Sequence, residues 1–149
     1  MKPRQAGFTL IELMVVVALI AIASGVVALA MRDPATTRLE REAARLAALL
    51  ESARAEARAS GLPARWLPHG GLQADTPGFR FVGLPQSAGL PDQWLEEGVA
   101  AEVVGANVVV LGPEPLIGAQ RIVLHLDKRS LALVTDGLGP FVVADEAAP

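Results

Sequence analysis

The sequence has no cysteine and only two histidines, and aromatic residues make up 4% of its 149 residues. Without cysteine the chain forms neither disulfides nor thiolate metal sites, and its redox compartment cannot be inferred from cysteine usage. The two histidines, His69 and His125, lie 56 positions apart in unrelated segments. We therefore interpret each as a structural residue rather than a metal ligand or a general base.

Positive charge is scarce in the C-terminal part of the chain. Residues 61–149 contain five Lys or Arg and ten Asp or Glu, which gives a net charge of −5. Because binding to phosphate backbones requires basic patches, nucleic acid is a poor candidate partner for this region.

Catalytic and metal-binding motifs are also missing from the sequence. Ser87 has Pro85 where a nucleophile elbow requires its first glycine, so we expect a loop there. Asp136 precedes a glycine, as in many turns. Asp127, Asp136 and Asp145 lack the alternating oxygen ligands that a calcium site needs. We predict a non-enzymatic protein with no catalytic residue, no cofactor and no metal site.

One long apolar run, residues 8–31, lies at the N-terminus, and its main interruptions are Thr9, Glu12, Ser24 and Gly25. As a helix it would measure about 36 Å, and the hydrocarbon core of a bilayer is about 30 Å thick. The run is too long for the apolar region of a cleaved secretory signal. We predict a single-pass transmembrane helix over 8–31. Residues 1–7, which carry Lys2 and Arg4, would be cytoplasmic.

Residues 35–60 predict an amphipathic helix that continues from the first. Apolar residues recur at spacings of three and four and form one stripe, Leu39, Ala43, Leu46, Leu50, Ala53 and Ala57. The pairs Arg38 with Glu42 and Glu51 with Arg54 are expected on the polar faces, and Gly61 is expected to end the helix.

Residues 61–149 predict a β-rich globular region. Seven short apolar runs are separated by Gly- and Pro-containing turns, and they are ARWL, FRFVG, VAAEVV, NVVVL, RIVLHL, LALV and FVV. No helical crossover fits between these runs, so we expect antiparallel strands. The fold class is therefore α+β, with a long N-terminal helix and a C-terminal antiparallel β domain.

Glu12 is the anomaly of the apolar run, because a carboxylate inside a spanning helix costs about 2.5–3.5 kcal/mol on insertion scales. The run contains no Lys, Arg or His that could neutralise it. If the chain is cut after Gly7, Phe8 acquires a positively charged α-amino group. Glu12 could then pair with this group in its own chain or in a neighbouring chain. The alternative is a Glu12 that is solvated by lipid headgroups.

The stretch GFTLIEL, residues 7–13, together with the basic leader, resembles the cleavage and methylation motif of the type IV pilin and pseudopilin superfamily. The resemblance implies that a prepilin peptidase cuts after Gly7 and N-methylates Phe8. Glu12, the fifth residue of the mature chain, would serve in filament assembly.

Residues 36–143 are similar, in short pieces such as LGPEPLIGAQRIVLHL, to the H-type minor pseudopilins of type II secretion, the GspH family. This resemblance implies a pilin-like fold with two small antiparallel sheets packed on the long helix. It also implies a subunit of the bacterial inner membrane whose C-terminal domain is periplasmic. Such a subunit connects the major-pseudopilin shaft to the tip subunits during export of folded proteins, and its partners are other major and minor pseudopilins.

Two other interpretations stay open. One is a minor pilin of a type IV pilus or of a DNA-uptake system. The other, from a different class, is a membrane-anchored periplasmic binding domain or enzyme whose N-terminus merely resembles the motif. This last class predicts an uncut Gly7 and a pocket with perturbed ionisable groups.

Overall fold

The computed structural model describes residues 9–30, 34–69 and 78–144. The chain divides into two compact units, Met1–Asp33 and Pro34–Pro149. The first unit contains helix α1, Leu10–Ala30, which is the N-terminal helix of the fold. Its sequence contains no proline and a single glycine, which favours an uninterrupted helix.

Among the residues that the structure describes, no helix combines the length and the apolarity that crossing a membrane requires.

Helix α2, Pro34–Ser60, begins the second unit. Proline is well tolerated at a first helical position, where its missing N–H would have no helical partner. Gly61, with a φ of 68°, ends the helix in the left-handed conformation that glycine adopts readily. All six residues of the predicted stripe are 2% exposed or less. The buried face of α2 therefore contains the whole stripe.

Within residues 34–69 and 78–144, seven strands form two antiparallel sheets, and each strand lies within or largely overlaps one of the seven predicted runs. The three-stranded sheet has the order β2-β1-β4, and the four-stranded sheet has the order β3-β5-β6-β7. The strands are β1 Ala64–Pro68, β2 Phe79–Val82, β3 Ala100–Val103, β4 Val109–Gly112, β5 Gln120–Leu126, β6 Arg129–Thr135 and β7 Val142–Val143. A short 3-10 helix, Gln86–Ala88, lies between β2 and β3. The α+β class and the antiparallel sheets are confirmed, and they fit a pilin-like fold.

The core of the second unit lies between α2 and the two sheets, since α2 contacts strands of both. Strand β5 shows the alternation of a strand with one buried face: Ile122, Leu124 and Leu126 are buried, and the residues between them are partly exposed. Four of the six aromatic residues form a cluster against this core, Trp66, Phe79, Phe81 and Trp94. The Phe79 and Trp94 ring centroids are 4.6 Å apart, within the range of favourable edge-to-face packing.

Candidate functional site

Thr9 and Glu12 build the N-terminal end of α1. The backbone N–H groups of Glu12 and Leu13 donate to the Thr9 carbonyl at 3.1 and 3.2 Å. The Glu12 N–H also lies 3.3 Å from the Thr9 hydroxyl. Thr9 is therefore the N-cap, and Glu12 occupies the third helical position. There its carboxylate lies in the first turn, near the positive end of the helix dipole, where negative charge is favourable.

The role of Thr9 was missed by the sequence interpretation, which gave it no function of its own. The signal was present, since Thr9 and Glu12 form the Thr-x-x-Glu pattern that marks a helix N-terminus before an apolar run. Gly7 and Phe8 lie outside the described residues. Cleavage after Gly7 and methylation of Phe8 therefore remain predictions.

The surface of α1 around Glu12 is apolar and exposed. Ten large apolar side chains between Leu10 and Ile22 are 43–77% exposed, and Glu12 is exposed among them. A helix that is apolar on every side is typical of a segment buried in a larger assembly or in lipid. In such surroundings a carboxylate binds strongly to an incoming ammonium group through charge-assisted hydrogen bonds.

One of the comparisons with known proteins gives a match, and the matched residues lie at this end of the chain. A family profile described as a prokaryotic N-terminal methylation motif matches residues 2–28, which include Gly7, Phe8 and Glu12. This motif supports a place for the chain in the type IV pilin and pseudopilin superfamily. It is consistent with a membrane-anchored N-terminus, with processing by a prepilin peptidase and with assembly alongside other pilins. No curated protein and no solved structure matches the chain significantly.

In the second unit, Arg54 fixes the turn after β6 to α2. Its guanidinium donates to the carbonyls of Gly139 at 2.8 Å and Gly137 at 3.3 Å, and it pairs with Glu51 at 3.1 Å. The Thr135 hydroxyl donates to the Gly139 carbonyl at 2.9 Å and accepts from the Gly137 N–H at 3.0 Å. Arg54 is 1% exposed. The predicted Glu51–Arg54 pair is confirmed, but its placement on a polar face is wrong for Arg54.

The same turn also contains Asp136, which was predicted to be a turn residue. The backbone N–H groups of Gly139 and Leu138 donate to its Oδ1 at 2.7 and 2.8 Å. These two bonds, with that of Gly139 the stronger influence, hold the pKa of the Asp136 carboxyl below its ordinary value of 3.8. Asp136 has a structural role in this turn, as predicted.

Glu42 holds a second loop against α2. Its carboxylate pairs with Arg45 at 2.8 Å and accepts from the Leu95 N–H at 3.1 Å. Arg45 in turn donates to the Gln93 carbonyl at 3.1 Å. Glu42 is 1% exposed. The predicted Arg38–Glu42 pair is wrong, because Arg38 lies 3.9 Å from Glu96 and Glu42 is engaged with Arg45 and the loop.

Spacing could have revealed both buried charges. Glu42 follows Leu39 by three residues and precedes Leu46 by four. Arg54 follows Leu50 by four and precedes Ala57 by three. Both therefore lie at the margin of the apolar stripe, where a charged side chain is buried only if it finds partners.

His69, His125, Ser87 and Asp127 also lie within the described residues. The His69 N–H donates to the Gly78 carbonyl at 2.9 Å, and His125 Nε2 lies 3.4 Å from Glu102 Oε1 on the neighbouring strand. Ser87 lies exposed in the short 3-10 helix, in agreement with a loop. Asp127 begins the β5–β6 turn with a φ of 54°. Asp145 lies outside the described residues.

Within the described parts of the chain, no group of three or more His, Asp or Glu residues is placed to hold a metal ion.

Proposed function

We propose that this chain is a non-enzymatic minor pseudopilin of a type II secretion pseudopilus, of the H type. In this function it connects the shaft of major pseudopilins to the tip subunits during export of folded proteins. The observation that carries the proposal is the methylation motif over residues 2–28, with Glu12 in the first turn of an exposed apolar helix. The α+β unit with two antiparallel sheets supports it.

The proposed mechanism begins with processing at the inner membrane. A prepilin peptidase cuts after Gly7, and Phe8 becomes the methylated N-terminus. The Phe8 ammonium of one subunit then meets the Glu12 carboxylate of a neighbour. Because this contact forms among apolar side chains, it is stronger than the same pair in water. The helices assemble side by side, and the second unit is carried on the periplasmic side.

Support for a structural rather than enzymatic role comes from how the second unit uses its buried charges. Arg54 binds backbone carbonyls of a turn, and Glu42 binds a backbone N–H of a loop. Each of these groups makes hydrogen bonds that fix a loop or turn to α2. That use suits a rigid subunit presented to neighbouring proteins.

The first test is mass spectrometry of the N-terminus of the full chain, purified from membranes of cells that contain a prepilin peptidase. We expect loss of residues 1–7 and one added methyl group on Phe8. A Gly7→Val variant should keep the leader and lack the methyl group. An intact leader on the unaltered chain would contradict the proposal.

The second test concerns Glu12 and uses the absence of native cysteine. A single Val16→Cys substitution on α1 permits disulfide cross-linking to a subunit with a cysteine at the corresponding position. Glu12→Gln should lower cross-linking into filaments about tenfold or more, because a charge-assisted bond is lost. Glu40→Gln, an exposed glutamate on α2, is the matched control and should change nothing.

Cross-linked partners also separate the secretion system from its alternatives. Major and minor pseudopilins among the partners support the proposal. Pilus or DNA-uptake subunits would instead establish a minor pilin. Correct processing with unchanged cross-linking and secretion in Glu12→Gln would show that Glu12 is not the assembly contact.

A further inference from the structure

Strand β4 is an edge strand of the three-stranded sheet within the described residues, since it pairs with β1 on one side only. Edge strands present unpaired N–H and C=O groups, and such groups can pair with a strand of another chain. Val110 lies in this strand, opposite Arg65 of β1, and its side chain is 36% exposed. An exposed β-branched residue on an edge is well suited to strand pairing.

The Gln120 side chain covers this edge. The Val110 N–H donates to Gln120 Oε1 at 2.8 Å, and Gln120 Nε2 donates to the Val110 carbonyl at 2.9 Å. A residue in a neighbouring antiparallel strand makes the same pair of bonds, one accepted and one donated. The planar amide of Gln120 therefore replaces the peptide group of a further strand.

Gln120 belongs to the other sheet through its backbone. It is the first residue of β5, where it pairs with Thr135 of β6. Its side chain thus links the four-stranded sheet to the edge of the three-stranded sheet. After Val110 the edge ends soon, because Pro113 has no N–H to offer a partner.

The opposite edge of the three-stranded sheet is covered in a different way. The Phe79 N–H of β2 donates to the Asp92 carbonyl at 2.9 Å, so a backbone segment occupies that position. At β4 the side chain of Gln120 covers the edge instead of a backbone segment.

We infer that Gln120 is an edge-sealing residue, which prevents the β4 edge from pairing with a strand of a second chain. The inference rests on two hydrogen bonds of the second unit and does not depend on the proposed function. It predicts that loss of the amide exposes both the N–H and the C=O of Val110 to solvent and to other chains.

The test uses the full chain in detergent micelles and the variant Gln120→Met, which keeps a side chain of similar length without the amide. Hydrogen exchange of the Val110 amide should become about tenfold faster, because its hydrogen bond is lost. Sedimentation velocity should show stronger concentration-dependent self-association than the unaltered chain shows at the same concentrations. Gln93→Met makes the same change at an exposed glutamine and should alter neither result.

A double variant, Gln120→Met with Val110→Pro, identifies the edge that pairs. Proline is tolerated at an edge position whose N–H points away from the neighbouring strand, and it removes the donor that pairing needs. Self-association of the double variant should therefore return to the level of the unaltered chain. If Gln120→Met does not fold, Gln120→Asn, whose side chain is one methylene shorter, serves in the same measurements.

Two results would overturn the inference. The first is unchanged Val110 exchange in a folded Gln120 variant, which would show that the side chain does not protect the edge. The second is faster exchange without stronger self-association, which would show that an open β4 edge does not recruit another strand.

Discussion

The apolar side chains of helix α2 are buried, whereas those of helix α1 are exposed. The stripe of α2 is 0–2% exposed because the two sheets of its own unit cover it. The large apolar side chains of α1 between Leu10 and Ile22 are 43–77% exposed. Exposed apolar surface of this extent marks a site of contact with membranes or other proteins. Helix α2 is therefore a core element of its own unit, whereas the apolar side chains of α1 between Leu10 and Ile22 are exposed.

The largest effect is expected when one leucine in each helix is truncated. Leu50→Ala in α2 should lower the free energy of unfolding of the second unit by about 2–5 kcal/mol, because it leaves a cavity in the core. Leu13→Ala in α1 should change it by less than about 0.5 kcal/mol. Urea unfolding in detergent, followed by the fluorescence of Trp66 and Trp94, measures both. Equal effects of the two substitutions would break the distinction between the helices.

A smaller effect is expected at Arg54. Arg54→Met should cost about 2–3 kcal/mol, since the carbonyls of Gly137 and Gly139 lose a charged donor. Arg58→Met places the same change at an exposed position of α2 and should cost less than about 0.5 kcal/mol. The same urea titration compares them. If Arg54→Met leaves the free energy of unfolding unchanged, apolar contacts alone hold the turn to α2.

The smallest effect concerns pH and the exposed Asp136. Its pKa in the folded protein lies below the ordinary value of 3.8, so the carboxylate stabilises the fold above that value. The contribution is lost as pH falls through the lowered folded pKa. The stability difference between the unaltered chain and Asp136→Asn should therefore be constant near neutral pH and shrink below about pH 4. Midpoints of urea unfolding, measured between pH 7 and pH 2.5 for both proteins, test this prediction. A stability difference that stays the same at acidic pH would contradict it.

The sequence predicted most of the backbone arrangement and less of the side-chain network. The seven strands were visible because turns with Gly and Pro separate the short apolar runs, and the stripe of α2 was visible because its spacing is regular. The order in which those strands pair was harder to predict, since it depends on contacts between residues far apart in the chain. β1, for example, lies between β2 and β4.

The distant partners of the buried charges illustrate the same limit. Glu42 and Arg54 were placed on polar faces because a charge pattern on one helix does not reveal distant partners. Those partners are backbone groups near Leu95, Gly137 and Gly139, which no local pattern marks as acceptors or donors. The N-cap Thr9, by contrast, could have been predicted from the local Thr-x-x-Glu pattern of residues 9–12.

The Thr9 cap has a consequence for the proposed processing of the chain. The acceptors that begin α1 are the carbonyl and hydroxyl of Thr9, and both lie beyond the proposed cut. Removal of residues 1–7 would therefore leave the start of the helix intact. The cut would also place a new positive charge at the positive end of the helix dipole, which is unfavourable by itself. In the proposed mature subunit, Glu12, four residues after Phe8 in the sequence, would offset that charge before a neighbouring subunit binds.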